Sequence, residues 1–196
     1  MEQLTTRRNL LRTAAGGSAI LLARNASSRP LGANDRINTG VVGLGGRGTY
    51  LLKLALHRAE ERNDVQIVAL CDVFQKRLNA ARDLAHARGH EPKVFTLHQE
   101  LLDHKDLDAV IIATPDHWHA PVTLMAMENG LDVYCEKPMT HTVEEAKEVA
   151  RKARELNRIV QIGVQGTSWT RWHKVRRDRT VRPSWQDRRG PGHLQP

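Results

Sequence analysis

Between Thr39 and Gln165 the chain alternates short apolar runs, rich in β-branched residues, with longer stretches in which apolar positions recur every three or four residues. Short apolar runs bounded by turn residues read as buried strands, and the three-to-four spacing reads as amphipathic helix. The predicted strands are TGVVG (39–43), VQIVALC (65–71), KVFTL (93–97), DAVIIA (108–113), LDVYC (131–135) and IVQIGVQ (159–165). Helices are predicted near 46–59, 75–88, 99–103, 119–129 and 143–156. The last has a clear start, because Thr142 and Glu145 are spaced as a capping box, and Ala146, Val149, Ala150 and Ala153 form the stripe expected to face inward. Regular alternation of strand and helix implies parallel strands joined by right-handed crossovers. The expected fold class is therefore α/β, a doubly wound parallel sheet in the order 3-2-1-4-5-6.

Composition adds little to that picture. At 196 residues, with 40% apolar and 27% charged residues, the chain has enough material for one domain with its own core. The net charge of +8 raises nucleic acid as a partner, but the charge sits at the ends. Residues 1–36 hold six arginines against Glu2 and Asp35, and residues 171–196 hold eight Lys/Arg against Asp178 and Asp187. The body between is mildly acidic, unlike a folded basic face that grips a duplex, so no nucleic-acid partner is expected. Residues 1–36 read as a twin-arginine export signal and linker. Thr6, Arg7, Arg8, Leu10 and Leu11 take the positions of its polar residue, arginine pair and hydrophobic pair, and the apolar stretch behind them is too short for stable membrane insertion. The alternative is a basic leader that stays attached; the export reading places the protein in the periplasm. Cys71 and Cys135 each end an apolar run and stand in no C-x-x-C, which suggests buried thiols rather than a disulfide or a zinc site.

The first strand runs straight into Gly43-Leu44-Gly45-Gly46-Arg47-Gly48, a G-x-G-x-x-G at a strand-to-helix turn. There the first glycine permits the tight turn, the second lets the backbone approach a pyrophosphate, and the third lets the helix pack on the strand. Gly43, Gly45, Gly46 and Gly48 are accordingly candidate cofactor-binding residues in a Rossmann domain expected over 37–170. Asp72 closes the second strand 24 positions past Gly48, where a carboxylate accepts hydrogen bonds from ribose hydroxyls and repels a 2′-phosphate. NAD is the preferred cofactor on that account, with Lys76 and Arg77 leaving NADP as the alternative.

The fourth strand opens into ATPDHWHAP (113–121) at the carboxyl edge of the sheet, where this architecture binds ligands. Thr114, Pro115, His117 and His119 are taken as cofactor-binding candidates. Asp116, His117 and His119 suggest a metal, but H-x-H without a third spaced ligand carries too little, and no metal is expected. His119 could equally cap the following helix, and Trp118 is read as packing or as lining a cleft. The fifth strand ends in Cys135-Glu136-Lys137-Pro138. A lysine there, beside a nicotinamide, can shuttle a proton to or from a hydroxyl, so Lys137 is the catalytic candidate and, with Glu136, a cofactor-binding one. Pro138 would stiffen the turn, with a cis bond as one option.

GVVGLGGRG, VALCDV, LDAVIIATPDHWHAP and LDVYCEKPMTHTVEEAKEV together resemble the N-terminal half of the Gfo/Idh/MocA oxidoreductases, the family of glucose-fructose oxidoreductase and inositol dehydrogenase, over residues 37–176. The resemblance implies NAD(P)-dependent oxidation or reduction of a sugar, cyclitol or related polyol, with Lys137 in the active site. Some relatives with a twin-arginine leader and a D-H-W-H loop use bound NAD to cleave glycosides by transient oxidation, and a nucleotide-binding module without turnover is the reading from outside the enzymes. Family members continue into a second α/β domain that builds the sugar pocket and often a homo-oligomeric interface, and that domain is expected to be missing from this chain. In its place stands a basic tail, 171–196, expected to be disordered. Trp185 has a single codon, and reading Val181 to Arg188 one base on forces a glycine there and permits SGRLGKIV, which resembles the family's entry into its second domain. The expectation is that residues after about Arg176 are out of frame, with a genuine basic tail as the alternative.

Overall fold

The computed structural model describes residues 36–166 and 169–174. Of the segment 1–36 read as a leader, residues up to Asp35 lie outside the described residues, as do residues 175–196 of the expected tail; the tail's first residues, 171–174, are helical rather than disordered. Six strands form one sheet in the order β3-β2-β1-β4-β5-β6, and each neighbouring pair is parallel. The strands are β1 (Ile37–Val42), β2 (Val65–Cys71), β3 (Lys93–Phe95), β4 (Ala109–Ile112), β5 (Asp132–Glu136) and β6 (Val160–Gly163). The helices between them are α1 (Gly46–Arg62), α2 (Gln75–His86), α3 (His98–Leu102), α4 (His119–Glu128) and α5 (Val143–Glu155), with a 3-10 turn, Asp116–Trp118, before α4. Strand order and parallel pairing follow the sequence expectation. The outer strands β3 and β6 are shorter than their apolar runs, since an edge strand has one neighbour to pair with and stops where that neighbour does.

Alternation along the strands divides the core into two layers. Val41 and Leu70 face α1 and α2, where Leu44, Leu52, Leu56 and Leu78 are buried. Their neighbours Val42, Ala69 and Cys71 point to the other face and pack with Ile112, Val122, Met127 and Val133. Both faces of β1 are thus buried, as a central parallel strand requires. Burial pushes the Cys71 thiol up to about 12 and the Cys135 thiol up to about 11, so neither is a ready nucleophile.

The capping box of α5 is present in both directions, with Glu145 N–H donating to Thr142 Oγ1 at 3.1 Å and Thr142 N–H donating to Glu145 Oε2 at 3.1 Å. Its inward stripe is narrower than expected. Val149 is buried and Ala146 and Ala153 are half-buried, but Ala150 is exposed, because α5 lies toward the β6 edge and touches the core along one 3-4 line. Among the described residues no helix is long and apolar enough to cross a membrane.

Candidate active site at the carboxyl edge of the sheet

Two glycines make the turn after β1 possible. Gly43 has φ +87°, and a Cβ there would lie 2.7 Å from the Ala113 backbone. At Gly48 a Cβ would lie 1.7 Å from the Gly43 carbonyl oxygen, so α1 packs against its own turn. Gly45 and Gly46 differ: a side chain at Gly46 would meet nothing within 4 Å, and one at Gly45 only Arg77 Nη1 at 3.7 Å. Their outer face is open. Gly45 is also the N-cap of α1, without a side-chain cap and with no acid in the first turn, so the first N–H groups and the helix dipole are offered outward.

Asp72, 7% exposed, holds this turn from behind. Its Oδ2 accepts from Leu44 N–H at 2.7 Å and its Oδ1 from Phe74 N–H at 2.8 Å. One carboxylate thereby fixes the glycine turn to the loop after β2, and each oxygen keeps a second acceptor position.

A cleft of about 390 Å³ lies beside the turn, lined by Arg47, Ala113, Thr114, Asp116, His119, Glu136, Lys137 and Gln165. The structure therefore brings together Thr114, His119, Glu136 and Lys137 of the residues singled out by sequence. Pro115 and His117 are exposed on the rim, where the His117 ring packs against Trp118 at 6.0 Å and His141 at 6.4 Å between centroids. His119 does not cap α4: the residue at the N-cap is Trp118, without a side-chain hydrogen bond. The His119 ring is 2% exposed, with Nδ1 against the Pro138 carbonyl and Nε2 3.0 Å from the Thr114 carbonyl. It thus ties the β4 loop to the Lys137 turn, whose Lys137-Pro138 bond is cis.

Glu136 is 4% exposed and is the hub of the cleft. Its Oε1 accepts from Arg47 Nε at 2.8 Å and is ion-paired with Nη2 at 2.7 Å, and its Oε2 accepts from Gln165 Nε2 at 3.1 Å and Lys137 N–H at 3.3 Å. The hydrogen bond to Glu136 raises the Arg47 guanidinium above its ordinary value, while burial, then the Glu136 charge, raise Tyr134. On the opposite wall Asp116 Oδ1 meets His141 Nε2 at 3.0 Å, and that bond holds the Asp116 carboxyl below the usual carboxylate range. Among the described residues no three or more His, Cys, Asp or Glu side chains are grouped to hold a metal.

Sequence reasoning did not assign Arg47, Gln165 or His141 to the site. Arg47 occupies a free position of the glycine motif, and the partners of all three come from distant segments. A dinucleotide fits what is present. Gly45 and Gly46 leave room for a close approach, the α1 N-terminus is uncapped, and Thr114 Oγ1 is buried in the cleft wall with no hydrogen-bond partner among the described residues.

Comparison with known proteins agrees with the geometry. Residues 37–164 match the sequence model described as the oxidoreductase family, NAD-binding Rossmann fold, of the Gfo/Idh/MocA group. A glycosyl hydrolase family 109 protein of Shewanella baltica is 35% identical over 124 residues, 61% of this chain and 26% of its own length. One from Saccharopolyspora erythraea is 32% identical over 176 residues, 78% of this chain and 38% of its own. Among solved structures, myo-inositol 2-dehydrogenase from Lactobacillus plantarum is 26% identical with TM-score 0.64, over 74% of this chain and 41% of that one. The chain spans 26% to 38% of the length of these two curated relatives. With the family's sequence pattern spanning the whole sheet and a cleft shaped for its cofactor, the chain belongs to the Gfo/Idh/MocA oxidoreductases and carries their NAD-binding Rossmann domain.

Proposed function

We propose that this chain is the NAD-binding part of an oxidoreductase that moves a hydride between a nicotinamide and a hydroxyl-bearing carbon of a sugar, cyclitol or related polyol. The observation that carries the reading is the position of Lys137 in one cleft with the unpartnered Thr114 hydroxyl, beside the open glycine turn. When bound, NAD supplies the hydride acceptor or donor. The protein does the rest. The α1 N-terminus binds the diphosphate, Asp72 offers its remaining acceptor positions to the adenosine ribose, and Thr114 Oγ1 anchors a polar group at the far end. Lys137 Nζ exchanges a proton with the substrate hydroxyl oxygen. Pro115 and His117, on the rim, border the entrance.

The names of the Shewanella baltica and Saccharopolyspora erythraea relatives favour a second reading, in which the same cleft serves NAD-dependent cleavage of a glycoside. One experiment separates the readings: NADH titration, then NAD reduction with a panel of polyols, then product analysis with aryl glycosides. Reduction by a polyol supports the first reading, and glycoside cleavage that needs NAD but leaves it unchanged supports the second. Tight NADH binding with neither leaves a binding module, and no NADH binding overturns all three. Export by the twin-arginine route belongs to the same proposal, with Arg7 and Arg8 as its carriers. A reporter fused behind residues 1–36 is expected in the periplasm, and retention in the cytoplasm refutes that part alone.

A further inference from the structure

Arg47 and Lys137 are the two lysine or arginine residues lining the cleft, and of these two Arg47 has its direction fixed by an ion pair with a described side chain, Glu136. Arg47 leaves α1 within the first turn, two positions after the Gly45 N-cap. Glu136 grips its guanidinium side-on, taking Nε at 2.8 Å and Nη2 at 2.7 Å with a single oxygen. A guanidinium carries five N–H donors in a rigid plane. Glu136 and the Tyr134 hydroxyl engage part of this set, fewer than the five donors it carries. The Arg47 side chain is 37% exposed and lines the cleft, and the Tyr50 ring 5.1 Å from the guanidinium carbon supports one of its flat faces. Glu136 is the reverse case: its side chain is 5% exposed, and its oxygens already accept from Arg47, Gln165 and the Lys137 backbone.

We propose that Arg47 is a ligand for the cofactor diphosphate and that Glu136 is a positioning residue that aims it. An anion at the uncapped α1 N-terminus meets main-chain N–H groups, the positive end of the helix dipole and the remaining donors of this guanidinium together. Because Glu136 immediately precedes Lys137 and its carboxylate accepts from Arg47 of the glycine motif, one buried residue sets both the diphosphate end and the lysine end of the cleft.

The inference rests on the reading that NAD lies along this cleft, and the wild-type NADH titration tests that reading by itself. Once binding is measured, the double variant Arg47→Gln/Glu136→Gln removes both charges and leaves no buried carboxylate unpaired. NADH and ADP are expected to bind it about tenfold more weakly, the loss of one charge-assisted contact, with a shallower salt dependence. Adenosine, which has no phosphate, is expected to compete as well as it does against wild type. Glu136→Gln alone, which keeps the cation but releases its aim, is expected to lose part of the ADP affinity, and Arg47→Lys, which keeps charge without the planar fork, to recover only part. A parallel loss for ADP and adenosine overturns the proposal in favour of general damage to the turn. NADH binding by the double variant within twofold of wild type, or full affinity in Arg47→Lys, overturns it as well.

Discussion

At the glycine turn the shape of the cleft is set by main-chain atoms, and at the Lys137 turn it is set by side chains. The first end consists of Gly43 at φ +87°, the Gly48 Cα against the Gly43 carbonyl, and two N–H groups held by Asp72. The second consists of the Arg47–Glu136 pair, the Gln165 amide, the His119 ring between two carbonyls and the Asp116–His141 pair. Main-chain construction leaves no volume to spare at Gly43 and Gly48, so those two positions reject an added methyl. Side-chain construction has room but depends on charges being matched, so it rejects any missing partner. The two ends should therefore fail differently.

Gly48→Ala is the harshest test of the first end. Its new methyl would fall 1.7 Å from a carbonyl oxygen of the same turn, and the backbone has to move. A loss of about 3 kcal/mol in urea unfolding, with NADH binding abolished, is the expected result. If this variant folds normally and binds NADH, the turn is not main-chain-limited. Arg47→Ala tests the second end by removing a partner. It leaves the buried Glu136 carboxylate without its cation, and because the Arg47 side chain is partly open to water the cost is expected near 2 kcal/mol, below the range for a fully buried pair. The contrast sharpens if Arg47→Gln/Glu136→Gln is more stable than Arg47→Ala, since it leaves no buried charge unmatched.

Thr142→Ala is a smaller change, at the start of α5 behind the Lys137 turn. It removes the acceptor for Glu145 N–H and should cost about 1 kcal/mol in thermal unfolding. The smallest effect at neutral pH belongs to His90, between α2 and β3. Its Nδ1 accepts from Ile67 N–H at 3.1 Å, and burial, followed by Arg36, holds the ring below its ordinary 6.5 against an opposing pull from Glu60. The unfolded chain takes up a proton as pH falls through about 6.5 and the folded chain does not, so stability declines on acidification from there until the folded ring titrates. Burial moves His98 the same way. His90→Asn, whose side-chain oxygen can still accept from Ile67, is expected to flatten part of that decline between pH 7.5 and pH 5, and an unchanged pH profile would remove His90 from the account.

The difference between the two ends also explains what could be read beforehand. The glycine turn is local: its residues span six consecutive positions, and its acid closes the next strand. Spacing alone was enough to mark it. Lys137 was legible because it ends a strand at the ligand-binding edge. Arg47 was not assigned, because its partner Glu136 lies 89 positions away, and the partner of Gln165 lies 29 positions away. His119 was assigned, but its two carbonyl partners were not foreseen, since they come from the β4 loop and the Pro138 turn. Ala150 illustrates the same limit at the level of packing, as periodicity gives the face of a helix but not how far that helix overlaps the sheet.

By itself, the sequence determined the order of strands and helices, the parallel sheet, the cofactor turn and the lysine at its edge, because hydrophobic period, glycine stereochemistry and motif spacing act over a few residues or a single crossover. Only the tertiary structure decided that Glu136 faces Arg47, that Asp72 holds the turn through Leu44 and Phe74, and that the Thr114 hydroxyl stands buried without a partner among the described residues. Those facts depend on which side chains converge once the sheet has assembled, and convergence across a sheet leaves no periodic trace along the chain.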